Sequence, residues 1–355
     1  MTTETTAHRE GTEPLPAPGL EGWRLDENDY PAAGPLSEQL HFILQYAVLA
    51  PSAHNTQPWL FAAGDEAVEL YADRTRALPV IDPDDRELTI SCGAALLNLR
   101  IALRRFGLED VVELFPERGN DDLLARVWVR PRWEPSAEDR LLFEAIPGRH
   151  TSRRPFERRD VPAALLAALE GEADDEGAWL HVVADDGQKA ALAELISGAE
   201  VMLWEDRRYR RELAAWAHPR RTRRQDGIPG YASGLADLKT FLGSPQSLSD
   251  VTEAKQGSRP SPDVTGPPAL AVLGTDTDTP YDWLAAGQAL ERVLLRAQAS
   301  GVSASFLNQP IEVDELRPRL RQLLNRHGYP QLMLRMGYGA EQRPTPRRPL
   351  HEVLI

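Results

Sequence analysis

The feature that most constrains the fold is an internal repeat between two helical segments. When Gly93 is placed on Gly287, the apolar positions that follow align without a gap. The same alignment places Gly107 on Gly301, just after the two segments. Apolar residues at helical spacing followed by a glycine predict an amphipathic helix and its C-terminal end. We therefore expect two copies of one α+β unit within the 355 residues.

The elements predicted around these segments divide the chain into a tail and two halves. Residues 1–35 are rich in Thr, Glu, Gly and Pro, which predicts a disordered tail. Residues 36–145 form the first half, with the predicted order helix, strand, strand, helix, strand. Residues 146–355 form the second half, and a Trp-Leu pair opens a strand in each half. The second half also carries an insertion at about 195–268.

A polar loop follows the first amphipathic helix, and the second half lacks its equivalent. The loop reads Pro51-Ser52-Ala53-His54-Asn55-Thr56-Gln57-Pro58-Trp59. Its first two residues end the helix, and its last two fix the exit into a strand. Hydroxyl and carboxamide groups offer donors and acceptors without net charge, which suits the edge of a flat heteroaromatic ring better than a phosphate. An ordinary capped turn is the alternative interpretation.

The second half has an arginine-rich motif that the first half lacks. It reads Arg149-His150-Thr151-Ser152-Arg153-Arg154-Pro155-Phe156, and the pair Arg347-Arg348 lies near the C terminus. A guanidinium is a planar fork of donors that can pair with a phosphate bidentately. Taken alone, an Arg-Arg pair before proline is more typical of a solvated surface. The stretch 171–178, which matches the polar loop, is acidic and offers no donor to a ring carbonyl.

Together these motifs resemble the nitroreductase family, and in particular its Acg-like members, which are internally duplicated actinobacterial proteins. The strongest local matches are 50–59, 149–156 and 347–353. The resemblance implies an α+β nitroreductase fold in which two fused halves form an intramolecular pseudo-dimer. The chain is then expected to be a monomer or a weak homodimer. Nitroreductases bind FMN between a polar loop of one subunit and an arginine motif of the other, so the asymmetry predicts one FMN per chain.

The resemblance also implies which residues bind the cofactor. Around the ring it implies Ser52, His54, Asn55, Gln57, Pro58 and Trp59. Around the phosphate it implies Arg149, Thr151, Arg153, Arg154, Arg347 and Arg348. Met336 and Gly337 are expected where a glycine lets the backbone approach the ring closely. A structural role in the loop is an equal alternative for His54, and a place in the core is favoured for Trp59.

Composition excludes several classes of function. A formal net charge of -14 argues against a nucleic-acid partner. One cysteine excludes an intrachain disulfide, and eight scattered histidines make a metal site unexpected. No apolar run reaches the roughly 20 residues of a membrane helix, which predicts a cytoplasmic protein without a membrane partner.

Two functions from different classes fit these motifs. One is an oxidoreductase that passes hydride from NAD(P)H through the flavin to a small-molecule electron acceptor, such as a nitro compound or a quinone. The cofactor carries that chemistry, so no catalytic protein side chain is expected. The other is a non-enzymatic FMN-binding or storage protein whose insertion covers the flavin as a lid. A third, weaker candidate function is that of a specialised dehydrogenase in a biosynthetic pathway. The arginines of the insertion fit a solvated helix face or a docking place for NAD(P)H phosphates.

Overall fold

The computed structural model describes residues 20–218, 224–230 and 268–355. In the first half, the helices and strands alternate in an α+β arrangement. They are α1 (Leu36–Ala47), β1 (Trp59–Ala63), β2 (Ala67–Ala72), α2 (Arg86–Arg105), β3 (Leu108–Leu114), β4 (Leu123–Pro131) and α3 (Ala137–Ala145). The strand β3 and the helix α3 are additions to the order that the sequence predicts. In the described ranges, no helix is long and apolar enough to cross a membrane.

The second half repeats these elements and adds to them. They are α4 (Ala163–Asp174), β5 (Trp179–Val182), α5 (Asp186–Glu205), α6 (Arg207–Trp216), β6 (Ala217–His218), β7 (Ile228–Pro229), β8 (Ala269–Thr275), α7 (Pro280–Ala299), β9 (Ser303–Phe306), α8 (Gln309–Glu312), α9 (Arg317–Leu324) and β10 (Tyr329–Gly337).

The two main sheets have the same topology. One has the strand order β1-β2-β4-β3 and the other β5-β8-β10-β9, with antiparallel pairing throughout. In each half, the long helix α2 or α7 follows the second strand and packs against the sheet through an apolar face. This agreement supports the two similar units that the glycine alignment predicts.

The two long helices contact each other where Gly93 faces Gly287. A Cβ atom on Gly287 would lie 2.8 Å from the Cα of Gly93, and one on Gly93 would lie 3.0 Å from the Cα of Gly287. Each hypothetical Cβ would also overlap a carbonyl oxygen one turn before the partner glycine, at Ile90 or Leu284. Because only glycine lacks a Cβ, the aligned glycines permit this approach of two helix backbones.

The C-terminal segment crosses from the second half to the sheet of the first. The Phe61 amide donates to the Val353 carbonyl (2.7 Å), and the Ile355 amide donates to the Phe61 carbonyl (3.0 Å). Since β1 directly follows the polar loop, this crossing brings the segment before Val353 beside that loop.

The insertion begins earlier than the sequence indicates. Only residues 64–66 connect β1 to β2, whereas residues 183–268 connect the equivalent strands β5 and β8. The predicted boundary at 195 falls inside α5, because the apolar periodicity of that helix continues through it. Residues 219–223 and 231–267 of the insertion lie outside the described part of the chain.

Residues 20–35 differ from the predicted disordered tail. The Tyr30 ring stacks on Phe106 with centroids 4.1 Å apart. The Trp23 indole nitrogen donates to the Thr345 carbonyl (2.8 Å). Burying aromatic side chains stabilises an ordered segment despite its polar composition. Residues 1–19 are outside the described ranges.

Replacing Gly287 by alanine should destabilise the protein. The added methyl group has no room between two helix backbones, so the free energy of unfolding should fall by about 3 kcal/mol, near the upper end for overpacking. Gly198 is the matched control, because it lies within α5 with no heavy atom near its hypothetical Cβ. Gly198→Ala should be neutral or stabilising by about 0.5–1 kcal/mol. Urea unfolding measures the stability of both variants. Equal stability of Gly287→Ala and Gly198→Ala would contradict this account of the contact between α2 and α7.

Candidate functional site

The polar loop after α1 has a strained backbone. His54, Asn55 and Gln57 all have positive φ values, 50°, 55° and 52°. Left-handed conformations cost a non-glycine residue roughly 1–2 kcal/mol each. Inside the loop, the Ser52 hydroxyl oxygen accepts a hydrogen bond from the Gln57 amide (2.9 Å). A loop of this shape needs further contacts from its surroundings to hold it.

The Asn55 side chain supplies part of that support. Its Nδ2 donates to the Gly227 carbonyl (2.9 Å) and to the Pro346 carbonyl (3.1 Å). Its Oδ1 accepts from Arg347 (2.9 Å). The carboxamide therefore joins the loop to the insertion and to the C-terminal segment.

The Gln57 side chain makes an equivalent pair of connections. Its Nε2 donates to the Gln225 carbonyl (2.8 Å), and its Oε1 accepts from the Arg348 amide (2.7 Å). The sequence predicts contacts of Asn55 and Gln57 with a ring edge, but here both carboxamides bind other parts of the chain. In the described ranges the Ser52 hydroxyl donates a hydrogen bond to no protein group. This donor is therefore available to a ligand.

The C-terminal arginines lie at the loop, and their donors bind protein groups. Arg347 Nη2 donates to the carbonyls of Leu49 (3.1 Å) and Ala50 (3.0 Å). Arg348 Nη1 donates to the Gln57 carbonyl (3.1 Å) and lies 3.4 Å from an Asp73 carboxylate oxygen. Both residues are buried. In this structure they brace the loop, which differs from the predicted role in phosphate binding.

Arg149 is similarly engaged. It is buried, and its Nη2 donates to the Leu49 carbonyl (3.1 Å). Its Nε lies 3.3 Å from a carboxylate oxygen of Glu291 on α7. Burial raises the pKa of Glu291 to about 7. Thr151 forms a bridge to Ala304, which aligns the arginine motif with β9.

Four polar side chains from separate segments lie near one another beside the loop: His54, Arg153, Tyr209 and Glu312. We call the space between them the hollow. All four are at least partly accessible to solvent, and Arg153 is exposed. Surrounding protein nevertheless lowers the pKa of Arg153 and raises the pKa of Tyr209 and Glu312. Burial and the charge of Arg153 lower the pKa of His54 to about 4. Arg153 acts electrostatically on His54 and on Tyr209, and Glu312 acts on Tyr209, so the four groups are close together.

These four side chains have no hydrogen-bond or ion-pair partner among the described residues. Polar groups that protein partly desolvates are normally paired with protein, water or a ligand, so these four side chains are candidates for binding a ligand. Of the predicted phosphate residues, Arg153 alone lies in the hollow with its donors unused. Arg154 is exposed beside it. His54 and Arg153, which the sequence predicts to bind the cofactor, thus lie near each other. Two residues that the sequence does not predict, Tyr209 and Glu312, lie beside them.

Tyr209 and Glu312 are the residues that sequence reasoning missed. Tyr209 lies on α6 among the arginines of the insertion, and Glu312 ends the short helix α8. Neither belongs to a motif, and no local periodicity distinguishes them. Only their positions in the folded chain identify them.

The remaining predicted residues lie away from the hollow. Pro58 and Trp59 are buried, and Trp59 belongs to the core of the first half. Met336 is fully buried in the core of the second half. Gly337 does permit a close approach, but its hypothetical Cβ would lie 3.0 Å from the Phe156 ring. A side chain of the protein occupies the space that the sequence assigns to a ring.

The sequence indicates an acidic loop at 171–178. In the structure this stretch forms the last turn of α4 and the turn that follows it. Arginines from the long helices neutralise it. Glu172 lies 2.7 Å from Arg292 Nε, and Glu176 lies 2.7 Å from Arg100 Nη1. The place that matches the polar loop is therefore filled by ion pairs.

Comparison with known proteins finds relatives along most of the chain. "Putative NAD(P)H nitroreductase Rv3131" of Mycobacterium tuberculosis is 34% identical over 333 residues, covering 90% of this chain and 92% of that protein. The chain belongs to the Acg-like nitroreductase family. "Putative NAD(P)H nitroreductase acg" of the same organism is 29% identical over 317 residues, covering 87% of this chain and 93% of that protein. The resemblance drawn from the motifs is confirmed.

Comparison with solved structures finds matches that cover less of the chain. The FMN-dependent nitroreductase NfnB from Mycobacterium smegmatis, solved in complex with NADPH, is 17% identical and covers 60% of this chain and 96% of its own, with a TM-score of 0.40. No family model matches the sequence.

Removing the brace on the loop should destabilise this Acg-like protein. Arg347→Gln removes donors from two buried carbonyls and from Asn55, so we expect a loss of about 2–4 kcal/mol in unfolding free energy. Amide hydrogen exchange of the loop should accelerate as well. Arg319→Gln is the control, because Arg319 is exposed and has no hydrogen-bond or ion-pair partner among the described residues. Urea unfolding and hydrogen exchange measure the effects, and unchanged loop protection in Arg347→Gln would contradict the bracing role.

Proposed function

We propose that the hollow binds one FMN and that the chain is an NAD(P)H-dependent FMN oxidoreductase for small-molecule acceptors such as nitro compounds or quinones. The observation that carries the proposal is the set of four neighbouring polar side chains that have no hydrogen-bond or ion-pair partner among the described residues. Family membership and the names of the relatives support the class of reaction.

The donor set of the hollow fits a flavin mononucleotide. Arg153, which pairs with no carboxylate among the described residues, offers a planar cation, which is the group that phosphate binding favours. The Ser52 hydroxyl offers a donor to a ring carbonyl, and His54, neutral at physiological pH, offers one donor and one acceptor. Bound FMN would supply the hydride chemistry, while these residues orient it.

The proposal includes a single cofactor per chain. The second place that the repeat provides has Glu172 and Glu176 bound to arginines. Those carboxylates would repel a phosphate, and the arginines around them are already paired.

A storage function is a second candidate, because the insertion is attached to the loop. The Gly227 amide donates to the Asn55 carbonyl (3.0 Å), and Gln225 accepts from Gln57. Tyr209 of the same insertion lines the hollow. A lid held by these bonds would shield the ring from a second substrate.

Arg153→Gln should leave a folded protein with weakened FMN binding. A charge-assisted bond to phosphate contributes about 1.5–3 kcal/mol, so the Kd should rise roughly 10- to 100-fold. Arg154→Gln, at the neighbouring position, is the matched control, and the Kd of that variant for FMN should change little. Fluorescence titration of apoprotein with FMN gives the affinity, and its end point should be one FMN per chain. Equal affinities in the two variants would place the phosphate elsewhere.

Anaerobic reduction separates the enzyme from the storage protein. An oxidoreductase loaded with FMN should lose its flavin absorbance rapidly after addition of NADPH or NADH, and a quinone should restore it. A storage protein should keep its absorbance with either nucleotide, yet lose it with dithionite. Stopped-flow spectrophotometry records both reactions, and persistent absorbance with both nucleotides would contradict the enzymatic proposal.

A further inference from the structure

A cavity that the proposed function does not use lies between the N-terminal segment and the start of the arginine motif. Its volume is about 590 Å³, which is within the usual range for small-molecule sites. Residues 20–24, the turn before the motif, the end of α7, the start of β9 and residues 341–344 border it. Six side chains decide what this cavity can bind: Trp23, Arg24, His150, Gln298, Ser303 and Glu341.

Two aromatic rings on the cavity are held in place by protein contacts. The His150 ring meets the Trp23 ring edge to face, with centroids 4.4 Å apart. Trp23 Nε1 donates to the Thr345 carbonyl (2.8 Å), and the guanidinium carbon of Arg347 lies 4.8 Å from the indole centroid. Burial and the charges of Arg149 and Arg347 lower the pKa of His150 to about 3, so its ring is neutral at physiological pH. Fixed, uncharged aromatic rings offer a stacking surface to a flat ligand.

The polar side chains on the cavity are not used by the protein. Arg24 and Glu341 carry opposite charges, yet they form no ion pair with each other. Among the described residues, the side chains of Arg24, Glu341, Gln298 and Ser303 have no hydrogen-bond or ion-pair partner. The Gln298 carboxamide lies against the backbone before the motif, because a Cβ on Gly148 would be 3.0 Å from its Nε2. A cation, an anion, a carboxamide and a hydroxyl are thus available to one ligand.

This set of groups matches the parts of an adenosine phosphate. A carboxamide can pair at once with the amino group of adenine and the ring nitrogen beside it, and aromatic side chains stack on the base. A carboxylate accepts hydrogen bonds from ribose hydroxyls, and a guanidinium binds phosphate. A free phosphate ion would use Arg24 alone and would be repelled by Glu341. An apolar ligand would leave four polar groups without partners.

We propose that this cavity binds an adenosine phosphate, either as a free nucleotide or as the adenosine part of NAD(P)H. The cavity is connected to the polar loop, because Arg347, which lies over the Trp23 ring, also donates to Asn55 Oδ1 (2.9 Å). Binding of the adenosine phosphate does not depend on the proposed function. Only its identity as a part of NAD(P)H rests on that function.

Calorimetric titration of the full-length protein with ADP tests the cavity. In the presence of FMN, one ADP should bind per chain, and its Kd should not change with the FMN concentration. The wild type should prefer ADP to inosine diphosphate roughly 10-fold, because a keto group in place of the amino group breaks the match to Gln298. Gln298→Leu should lose this preference. No binding of ADP, equal affinity of the wild type for both nucleotides, or competition between ADP and FMN overturns the inference.

A second titration tests the contact with phosphate. Arg24→Gln should raise the Kd for ADP roughly 10-fold and leave the Kd for adenosine unchanged, because a charge-assisted bond to phosphate is lost. The fold should be unaffected, since the Arg24 side chain binds no described residue. Arg118→Gln is the matched control, because Arg118 is exposed, has no partner among the described residues and does not line the cavity. Equal ADP affinity of Arg24→Gln and Arg118→Gln overturns the inference.

Reduction kinetics distinguish the two sources of the adenosine phosphate. If the cavity holds the adenosine part of NADH, ADP should slow reduction of FMN by NADH and leave reduction by dithionite unchanged. Arg24→Gln should then raise the NADH concentration for half-maximal rate roughly 10-fold at an unchanged maximal rate. If the ligand is a free nucleotide, ADP should bind without competing with NADH. A wild type that neither NADH nor NADPH reduces contradicts the proposed function instead, and the ADP titrations still decide this inference.

Discussion

The contact of α2 with α7 at Gly93 and Gly287 fixes the position of one half against the other. Two helix backbones in contact leave little freedom to slide or tilt, because neighbouring carbonyls fill the space that a side chain would take. One turn after Gly287, Glu291 reaches Arg149, which in turn binds the carbonyl of Leu49 at the start of the polar loop. The placement of the loop therefore depends on the crossing of the helices.

The same chemistry that makes arginine a good phosphate ligand also makes it a good brace. A rigid fork of donors can bind several carbonyls at once, and Arg347 does so with Leu49 and Ala50. These contacts hold a loop whose left-handed residues would otherwise favour other conformations. A sequence shows that a guanidinium is present, but only the folded chain shows whether its donors are free. Arg153 differs from Arg149 in this respect, although both belong to one motif.

Local patterns predict the parts of this protein whose causes are local. The periodicity and terminal glycines of α2 and α7 give both helices, and the Trp-Leu pairs mark the first residues of β1 and β5. The strand β3 carries acidic residues, which obscure its alternation. Tyr209 and Glu312 are far apart in sequence, and their shared hollow arises from long-range packing. The use of Asn55 and Gln57 as supports also depends on contacts with distant segments, so no local pattern could show it.

The two halves share a topology but differ in how their charges are balanced. Around Glu172 and Glu176, arginines of the long helices meet carboxylates within the chain, and the site is closed. Within the part of the chain that the structure describes, Arg153 has no such partner, although Glu312 and Glu212 both lie near Tyr209. The Glu212 carboxylate is bound to the backbone amides of Val80 and Ile81, and no acidic side chain of the described residues forms an ion pair with Arg153. A cation without a carboxylate partner is stabilised when a ligand brings the negative charge. The proposed binding site thus offers a cation to a ligand, where the matching part of the chain has ion pairs.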